Sequence, residues 1–487
     1  MAASPDVRVL IVGAGFSGLA VAIGLRRAGI DDFAILEKAD DLGGTWRENT
    51  YPGCACDVQS HLYSYSFAPN PRWTRSYSGH AEIQNYLRDC ADRHDLLPRI
   101  RFGTRFAGAR FDSDTALWTI DTADGATITA GVLVLGMGPL HVPRLPDVPG
   151  LDTFCGPAFH SSQWNHDVDL RGKRVAVIGT GASAIQFVPR IAPLVERLTL
   201  VQRTPPWVLP RSERRISERE QRLLRRVPAL QRLYRYAIYW RNESRLLGMR
   251  HPRLIKALEG LARRHIRRGV GDGELARALT PDFRIGCKRI LLSNDYYPAL
   301  GRDNVDVVTH SLAEVTPRGI VTDDGAAHRA DAIVFGTGFH VTTAFAGLPL
   351  YGRDGVSITE AWTPGPHAHL GSMVPGFPNL FCMLGPNTGL GHNSMVFIAE
   401  SQTRYILAAL RMLERYGAKH IEVRADAEAG YNRDIQKRLS TAMWSVGGCR
   451  SWYVDPDGVN RTLWPGHTFT YRRRTKTPDP SAFILTR

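Results

Sequence analysis

The sequence predicts an α/β protein in which one β-turn-α-β unit occurs twice. Each copy begins with a run of β-branched and apolar residues typical of a buried parallel strand. A glycine-rich loop and an apolar helical stretch follow. The two copies have the same spacing. The position that should contact the ribose, near the end of the second strand, lies 24 residues beyond Gly13 in the first copy and 24 residues beyond Gly179 in the second. These observations favour two Rossmann-like dinucleotide-binding domains.

The first unit lies at the start of the sequence. Its strands are predicted at Val7–Val12 and Phe33–Leu36, with a helix at Leu19–Leu25 between them. In the G-x-G-x-x-G loop, the glycines allow a tight turn, close approach of a pyrophosphate and close packing of helix on strand. An acid after the second strand accepts hydrogen bonds from ribose hydroxyls. We therefore expect four residues to bind the first cofactor, namely Gly13, Gly15, Gly18 and Glu37.

The second unit differs in two places. Its strands are predicted at Arg174–Ile178 and Leu198–Val201, and Ala184 replaces the third glycine. Arg203 stands where the first unit has its acid, and a guanidinium binds a 2′-phosphate bidentately. The second site should therefore prefer NADP, and the residues expected there are Gly179, Gly181, Ala184, Arg203 and Thr204.

One nucleotide site for a free ribose and one for a 2′-phosphate predict an FAD protein reduced by NADPH. Electrons could then pass to a redox cysteine pair or to oxygen. The closest pair, Cys54 and Cys56, is separated by one residue, whereas a dithiol relay generally has two or four, so we interpret these cysteines as small buried side chains. The seven cysteines are odd in number and scattered, which predicts reduced thiols in a cytoplasmic protein.

Two strands that end in glycine pairs, at 132–138 and 332–338, mark the passages between two interleaved domains. The first of these strands leads into a proline-rich stretch, which is typical of a stiff connection between domains. The predicted units are an FAD domain at 1–145 and 326–487, and an NADP domain at 146–325 with a helical insertion at about 210–280.

The net charge of +14 is concentrated in one segment, because residues 211–270 hold 18 Lys and Arg but only 5 Asp and Glu. The rest of the chain is close to neutral, so nucleic-acid binding is not expected. Pro228 and Pro252 divide the segment into separate helices. An arginine-rich solvated face and peripheral membrane contact through basic helices both remain open. No apolar run is long enough to span a membrane, and a secretory signal is not expected.

Two longer motifs resemble signatures of the type I Baeyer–Villiger monooxygenases. Residues 154–164 resemble the fingerprint F-x-G-x-x-x-H-x-x-x-W, and residues 43–57 resemble G-G-x-W-x-x-x-x-Y-P-G-x-x-x-D. The resemblance extends from Gly13 to about Pro465. It implies an FAD- and NADPH-dependent monooxygenase that uses O2 to convert a ketone to an ester or lactone. It also implies cofactor contacts at Gly44 and Trp46, and a domain-coupling role for Phe154, Gly156, His160 and Trp164.

The same resemblance assigns roles to Lys288, Arg289 and Trp452. In the family the lysine helps to hold the 2′-phosphate, the arginine faces the flavin, and the tryptophan contacts the nicotinamide cofactor from a mobile loop. The reaction proceeds through a flavin C4a-peroxide, whose anion attacks a carbonyl carbon. A fixed cation favours that ionised form, and arginine stays charged even in a dry site. We expect Asp57 to be the partner that a buried Arg289 requires.

Two other functions fit the same cofactors. A flavin hydroperoxide is electrophilic and oxidises sulfur or nitrogen, so a heteroatom oxygenase is the first alternative. A non-oxygenating flavin-binding redox protein is the second. The sequence predicts no metal site.

Overall fold

The structure is a computed structural model that describes residues 4–248, 251–341, 347–449 and 451–487. The strands in these ranges are β1 Val7–Val12, β2 Phe33–Leu36, β3 Ile100–Arg101, β4 Phe106–Asp112, β5 Leu117–Thr122, β6 Thr127–Leu135, β7 Ala158–His160, β8 Arg174–Ile178, β9 Arg197–Val201, β10 Val208–Leu209, β11 Leu291–Leu292, β12 Val305–Val308, β13 Leu312–Thr316, β14 Gly319–Thr322, β15 Ala327–Arg329, β16 Ala332–Phe335, β17 Leu350–Tyr351, β18 Leu380–Cys382, β19 His420–Val423 and β20 Phe483–Thr486. The helices are α1 Phe16–Arg27, α2 Thr45–Glu48, α3 His80–Arg93, α4 Ala184–Ile191, α5 Glu218–Arg226, α6 Pro228–Gly248, α7 Pro252–Val270, α8 Glu274–Ala278, α9 Tyr296–Leu300, α10 Ile358–Ala361, α11 Met395–Tyr416, α12 Ala425–Leu439, α13 Met443–Val446 and α14 Thr468–Lys476.

The larger sheet contains the first glycine loop. Its strand order is β17-β4-β5-β6-β1-β2-β3, and β18 also pairs with β6. Strand β1 lies between β2 and β6 and is parallel to both. Its apolar side chains are buried on both faces, as expected of a central parallel strand. The loop after β1 therefore opens at the carboxyl edge of this sheet, where α1 begins.

The second sheet is wholly parallel, in the order β12-β9-β8-β16-β7. Strand β8 and helix α4 flank the second glycine loop. The smaller pairings are β10 with β11, the β13-β14-β15 meander and β19 with β20. One sheet is mixed and the other wholly parallel, and each carries a glycine loop after a parallel strand, which confirms the predicted α/β architecture.

Strand β16 corrects one predicted boundary. Ile333 is paired with Ala176 of β8, so β16 belongs to the second sheet. The second sheet therefore extends at least to residue 335, and the predicted boundary at 325/326 comes too early. An apolar strand that is buried on both faces can pair with any strand that has a free edge. The local sequence does not specify which sheet provides that edge. The rest of the domain division remains a prediction.

The helical insertion consists of α5 to α8. Helix α6 begins at Pro228 and α7 at Pro252, which confirms the predicted breaks, since proline suits the first turn of a helix. Helix α6 is attached to the rest of the molecule by polar contacts. Glu243 accepts hydrogen bonds from Asn393 Nδ2 at 2.6 Å and from Thr468 Oγ1 at 2.5 Å. In the part of the chain that the structure describes, no helix is long and apolar enough to cross a membrane.

Candidate active site

A cleft of about 1620 Å³ is lined by residues of both glycine loops. Gly13 and Gly15 contribute from the first loop, and Gly179 and Gly181 from the second. Gly18 and Ala184 are not among the lining residues, because they lie where each helix packs against its sheet. The structure thus brings the two predicted nucleotide sites to one cavity.

The first loop leaves bare backbone facing the cleft. A Cβ atom at Gly18 would lie 1.8 Å from the Gly13 carbonyl oxygen, so the helix approaches the strand as closely as the motif requires. Gly15 faces Gly44, with 3.6 Å between a Cβ placed on Gly15 and the Gly44 Cα. Gly44 has a φ of 53°, in the left-handed region that favours glycine. This bare cradle at a helix N-terminus fits a pyrophosphate.

The carboxylate of Glu37 is held in place by backbone amides. Its Oε2 accepts a hydrogen bond from the Ala14 amide at 2.8 Å, and its Oε1 accepts one from the Ala39 amide at 3.0 Å. The residue is buried and lines the cleft. Each oxygen retains a lone pair, so the group can accept a ribose hydroxyl.

The second loop packs closely against the passage between the two sheets. A Cβ atom at Gly179 would lie 2.7 Å from the Gly336 carbonyl oxygen. Ala184 is buried, and its methyl group would lie 3.4 Å from a Cβ on Gly336, which explains why alanine suffices there. Thr180 Oγ1 donates to the Thr204 carbonyl at 3.2 Å, so the loop is tied to the segment that carries Arg203.

Two cations lie together in this part of the cleft. Arg203 and Lys288 both line it, and burial together with the charge of Arg203 lowers the pKa of Lys288. The Lys288 ammonium lies 4.8 Å from the centre of the Phe283 ring. Among the described residues, neither cation forms an ion pair with a carboxylate. A pair of unneutralised cations fits the 2′-phosphate of NADP.

Arg289 and Asp57 form an ion pair in the wall of the cleft. Arg289 donates from Nε at 2.9 Å and from Nη2 at 2.5 Å, both to Asp57 Oδ2. The two side chains are 34% and 27% exposed, so the pair is partly open to the cavity. The carboxylate raises the pKa of Arg289 further above its ordinary value. The guanidinium is thus a permanent cation, and the fixed contact uses two of its three nitrogens.

Aromatic side chains line the cleft around this pair. Trp46 donates from Nε1 to the Tyr63 hydroxyl at 3.2 Å, and burial raises the pKa of Tyr63 well above its ordinary value. Trp452 is 44% exposed, and its ring centre lies 4.5 Å from that of Tyr453. Trp452 lines the same cleft, in a position open to a ligand.

Trp164 of the fingerprint packs against helix α4. The Trp164 ring lies 5.3 Å from Phe187, and Phe187 lies 6.1 Å from Tyr51 of the second signature. These contacts connect the two signatures through helix α4.

The remaining fingerprint residues lie on the second sheet or pack against it. His160 is buried on β7, bonds through Nδ1 to the Ser162 hydroxyl at 2.8 Å, and has its pKa lowered by burial. Phe154 packs against the core of this sheet. A Cβ atom on Gly156 would lie 2.5 Å from the Asp331 carbonyl oxygen and 2.8 Å from the Phe154 ring. These residues make structural contacts near the passage between the sheets.

Several residues at the site carry no signal in the linear sequence. Gln186 of α4 makes three hydrogen bonds to residues 51–55, of 3.0, 3.2 and 3.0 Å. Arg211 donates to the Cys56 carbonyl at 3.2 Å. Tyr453 is buried beside the Arg289–Asp57 pair, and burial raises its pKa to about 12. Only the tertiary contacts reveal these residues.

The cysteines depart from the prediction at one pair. Cys287 and Cys449 form a disulfide across a sequence separation of 162 residues, so the expectation that all seven thiols are reduced is wrong. That separation hides the pairing in the sequence. The bond joins the segment before Lys288 and Arg289 to the segment before Trp452. Cys54 and Cys56 are free and buried, and burial raises the pKa of Cys54 to about 12, which does not suit a redox thiol.

Comparison with known proteins decides the family. The family model described as flavin-binding monooxygenase-like matches residues 6–240. A Baeyer–Villiger monooxygenase of Pseudomonas aeruginosa is 50% identical over 487 residues, which is all of this chain and 92% of the relative. The chain belongs to the Baeyer–Villiger monooxygenase family. This membership confirms the resemblance that the two signatures indicate.

Solved structures of this family have the same fold. A crystal structure of OTEMO in complex with FAD and NADP has a TM-score of 0.90 and 28% identity, covering 99% of this chain and 100% of that one. Cyclohexanone monooxygenase from Rhodococcus sp. Phi1, bound to NADP+, has a TM-score of 0.88 and 29% identity over 99% and 100%. The bound groups of these neighbours agree with the predicted pair of cofactors, and the family confirms the flavoprotein monooxygenase class.

Proposed function

We propose that this Baeyer–Villiger monooxygenase family member uses NADPH, FAD and O2 to insert one oxygen atom beside a ketone carbonyl, giving an ester or lactone. The observation that carries the proposal is the Arg289–Asp57 pair, which places a permanent cation in a cleft lined by both nucleotide loops. When bound and reduced by NADPH, FAD activates O2 for transfer to the substrate.

The residues of the cleft divide between the two cofactors. Gly13, Gly15, Gly44 and Glu37 would hold FAD, with Gly18 providing the close helix packing and Trp46 the adjoining wall. Gly179, Gly181 and Ala184 would form the NADPH loop, with Thr204 beside it. Arg203 and Lys288 would bind the 2′-phosphate, because two neighbouring cations without a carboxylate partner favour an anion. Trp452 would contact the nicotinamide from the exposed side.

Arg289 would act on the substrate by charge. Attack on a ketone places negative charge on the carbonyl oxygen, and a preorganised cation stabilises that charge without reorganisation. Asp57 would act as a positioning residue, since its hydrogen bonds fix the guanidinium and leave Nη1 outside that contact. A neutral amine or sulfide needs no such cation, so the pair favours the ketone reaction over heteroatom oxidation.

The fingerprint would couple movement of the second sheet to the cofactor site. Trp164, Phe187 and Tyr51 form a continuous contact from the fingerprint to the signature that contains Asp57. Gln186 holds the same signature by three hydrogen bonds. A rotation of helix α4 would therefore shift the segment that carries Asp57. Conformational steps of this kind are common where one cofactor must react before a second substrate.

The test is product analysis with NADPH, O2 and a panel of cyclic and aryl ketones, with a sulfide and a tertiary amine as competitors. Ester or lactone formation, with one NADPH and one O2 consumed per product, is the expected result. Sulfoxide or N-oxide without any ester would indicate the heteroatom oxygenase. NADPH binding without O2 consumption would indicate the non-oxygenating flavin protein.

We also propose that the enzyme works in the cytoplasm and contacts a membrane peripherally through its basic helices. The positive charge of the basic helices supports the membrane contact, since residues 211–270 hold 18 Lys and Arg against 5 Asp and Glu. Such a location suits a ketone that dissolves in lipid. Fractionation of cells that express the chain tests the idea. Recovery of the protein in the membrane fraction at low salt is expected, and recovery only in the supernatant at both low and high salt contradicts it.

A further inference from the structure

Helix α6 exposes an apolar stripe to solvent. We define the α6 stripe as five residues whose side chains are between 37% and 65% exposed, namely Leu230, Leu233, Tyr236, Trp240 and Leu247. At about 100° per residue they share an arc of roughly 120° on one side of the helix. The other residues of the helix within that arc are Ala229, Ala237, Ser244 and Gly248, so it contains no charge.

The opposite side of α6 is buried and holds both apolar residues, Ile238, Tyr239 and Leu246, and polar ones. Gln231, Asn242 and Glu243 are all at most 4% exposed. An ordinary surface helix has one apolar side, which faces the core, whereas α6 has a second apolar side that faces solvent. Packing against the core therefore accounts for the buried apolar residues of α6 but not for the α6 stripe.

Polar contacts fix this orientation of the helix. The Glu243 carboxylate bonds to His467 Nδ1 at 2.8 Å as well as to Asn393 and Thr468. Arg235 Nη1 donates to the His61 carbonyl at 2.8 Å. Rotating α6 to bury its exposed leucines would leave a buried carboxylate and a partly buried guanidinium without partners, which is costly. The α6 stripe is therefore held outward by the fold.

The apolar surface continues beyond α6. The exposed ring of Phe469 at the start of α14 lies 5.9 Å from the Trp240 ring. Leu223 of α5 and Val227, between α5 and α6, are exposed as well. Of the twenty large apolar side chains that are exposed in the described residues, seven fall within residues 223–247. Concentration of this kind marks an interaction surface rather than scattered exposure.

Cations flank this surface. Arg232 and Arg241 are exposed on either side of the α6 stripe, and Arg473 and Lys476 are exposed on the side of α14 that carries Phe469. A second copy of the chain, docked here by two-fold symmetry, would place these like charges against one another, which is unfavourable. An anionic partner is favoured instead.

We infer that the α6 stripe inserts into the headgroup region of an anionic lipid bilayer, with α6 lying along the membrane surface. Tryptophan and tyrosine favour the boundary between water and lipid, and arginines beside them can extend their guanidinium groups to anionic headgroups. Apolar burial and charge attraction together provide the two signals that stable surface binding requires. The inference goes beyond adsorption by charge and does not depend on the reaction.

The test is sedimentation of the FAD-loaded, full-length protein with vesicles of phosphatidylcholine, alone or mixed with phosphatidylglycerol, at low and high salt. The stripe variant is Leu233→Ser with Trp240→Ser. The matched control is Leu194→Ser with Val356→Ser, which removes two apolar side chains that are 48% and 42% exposed elsewhere. We expect the wild type and the control to bind mixed vesicles and to remain partly bound at high salt. The stripe variant should bind at least about tenfold more weakly.

Three outcomes would overturn the inference. Equal binding of the stripe variant and the wild type would show that the stripe does not insert. Complete release of the wild type by salt would indicate adsorption by charge alone. A change of oligomeric state in the stripe variant, measured by light scattering without vesicles, would show that a second copy covers this face. Turnover of a water-soluble ketone without vesicles should be unchanged in the stripe variant, so failure here is distinct from failure of the proposed reaction.

Discussion

Replacing Arg289 by alanine should abolish most ketone oxidation while leaving the protein folded. The side chain provides the positive charge of the Arg289–Asp57 pair and the free Nη1 donor, and loss of one preorganised donor to an oxyanion costs about 3 to 4 kcal/mol. We therefore expect kcat/KM for ester formation to fall by about 10²- to 10³-fold. Because the two side chains are 34% and 27% exposed, the free energy of unfolding should change by no more than about 1 kcal/mol.

Substitutions of its partner separate charge from position. In Asp57→Ala the guanidinium keeps its charge but loses both fixed hydrogen bonds, so we expect a smaller loss of about ten- to a hundredfold. Arg289→Lys keeps a cation but cannot make the same two contacts, and its activity should lie between those of the wild type and Arg289→Ala.

The assay measures NADPH consumption and ester in the same sample, together with Tm. Arg197→Ala is the matched control, because Arg197 forms an ion pair with Asp306 at 2.5 Å outside the cleft. The reasoning is refuted if Arg289→Ala retains ester formation within about threefold of the wild type. It is equally refuted if Asp57→Ala is the more damaging of the two substitutions.

Three further predictions concern cofactor choice, cross-linking and pH. Arg203→Ala should raise KM for NADPH by about ten- to a hundredfold and leave KM for NADH unchanged, because a charged contact to the 2′-phosphate is lost; a parallel rise in both constants would contradict this role. Cys449→Ser should lower the free energy of unfolding by about 2 to 4 kcal/mol in denaturant titrations, whereas Cys155→Ser, at an exposed free thiol, should not. Burial lowers the pKa of His61 from 6.5 to about 4, so the unfolded chain binds more protons between those values. Stability should therefore fall as pH drops from 7 towards 4, and His61→Gln should flatten this dependence; an unchanged slope would count against it.

The features that sequence predicts here are local ones. The glycine loops, the strands before them and the acid or arginine after them lie within about 25 residues of one another, so backbone rules fix their arrangement. Pro228 and Pro252 mark helix starts for the same reason. The pairing of Arg289 with Asp57 joins residues far apart in sequence, so it is predictable only from a family resemblance and from the need of a buried cation for a partner.

The features that sequence does not predict depend on long-range packing. Gln186 reaches residues 51–55 only because α4 packs against the first signature. Strand β16 joins the second sheet because an edge is available beside β8, and its apolar sequence would have suited either sheet. The outward α6 stripe was likewise hidden, because the periodicity of a helix shows that it has two sides but not which side the fold covers.

The Cys287–Cys449 bond has a mechanical consequence for the cleft. While the bond is intact, residues 287 and 449 stay neighbours, with 6.1 Å between their Cα atoms in this structure. A movement that draws the cationic segment after residue 287 away from its surroundings must carry the segment before Trp452 with it, or pivot at the sulfur atoms. The bond therefore couples any displacement of the segment that carries Lys288 and Arg289 to the segment that precedes Trp452.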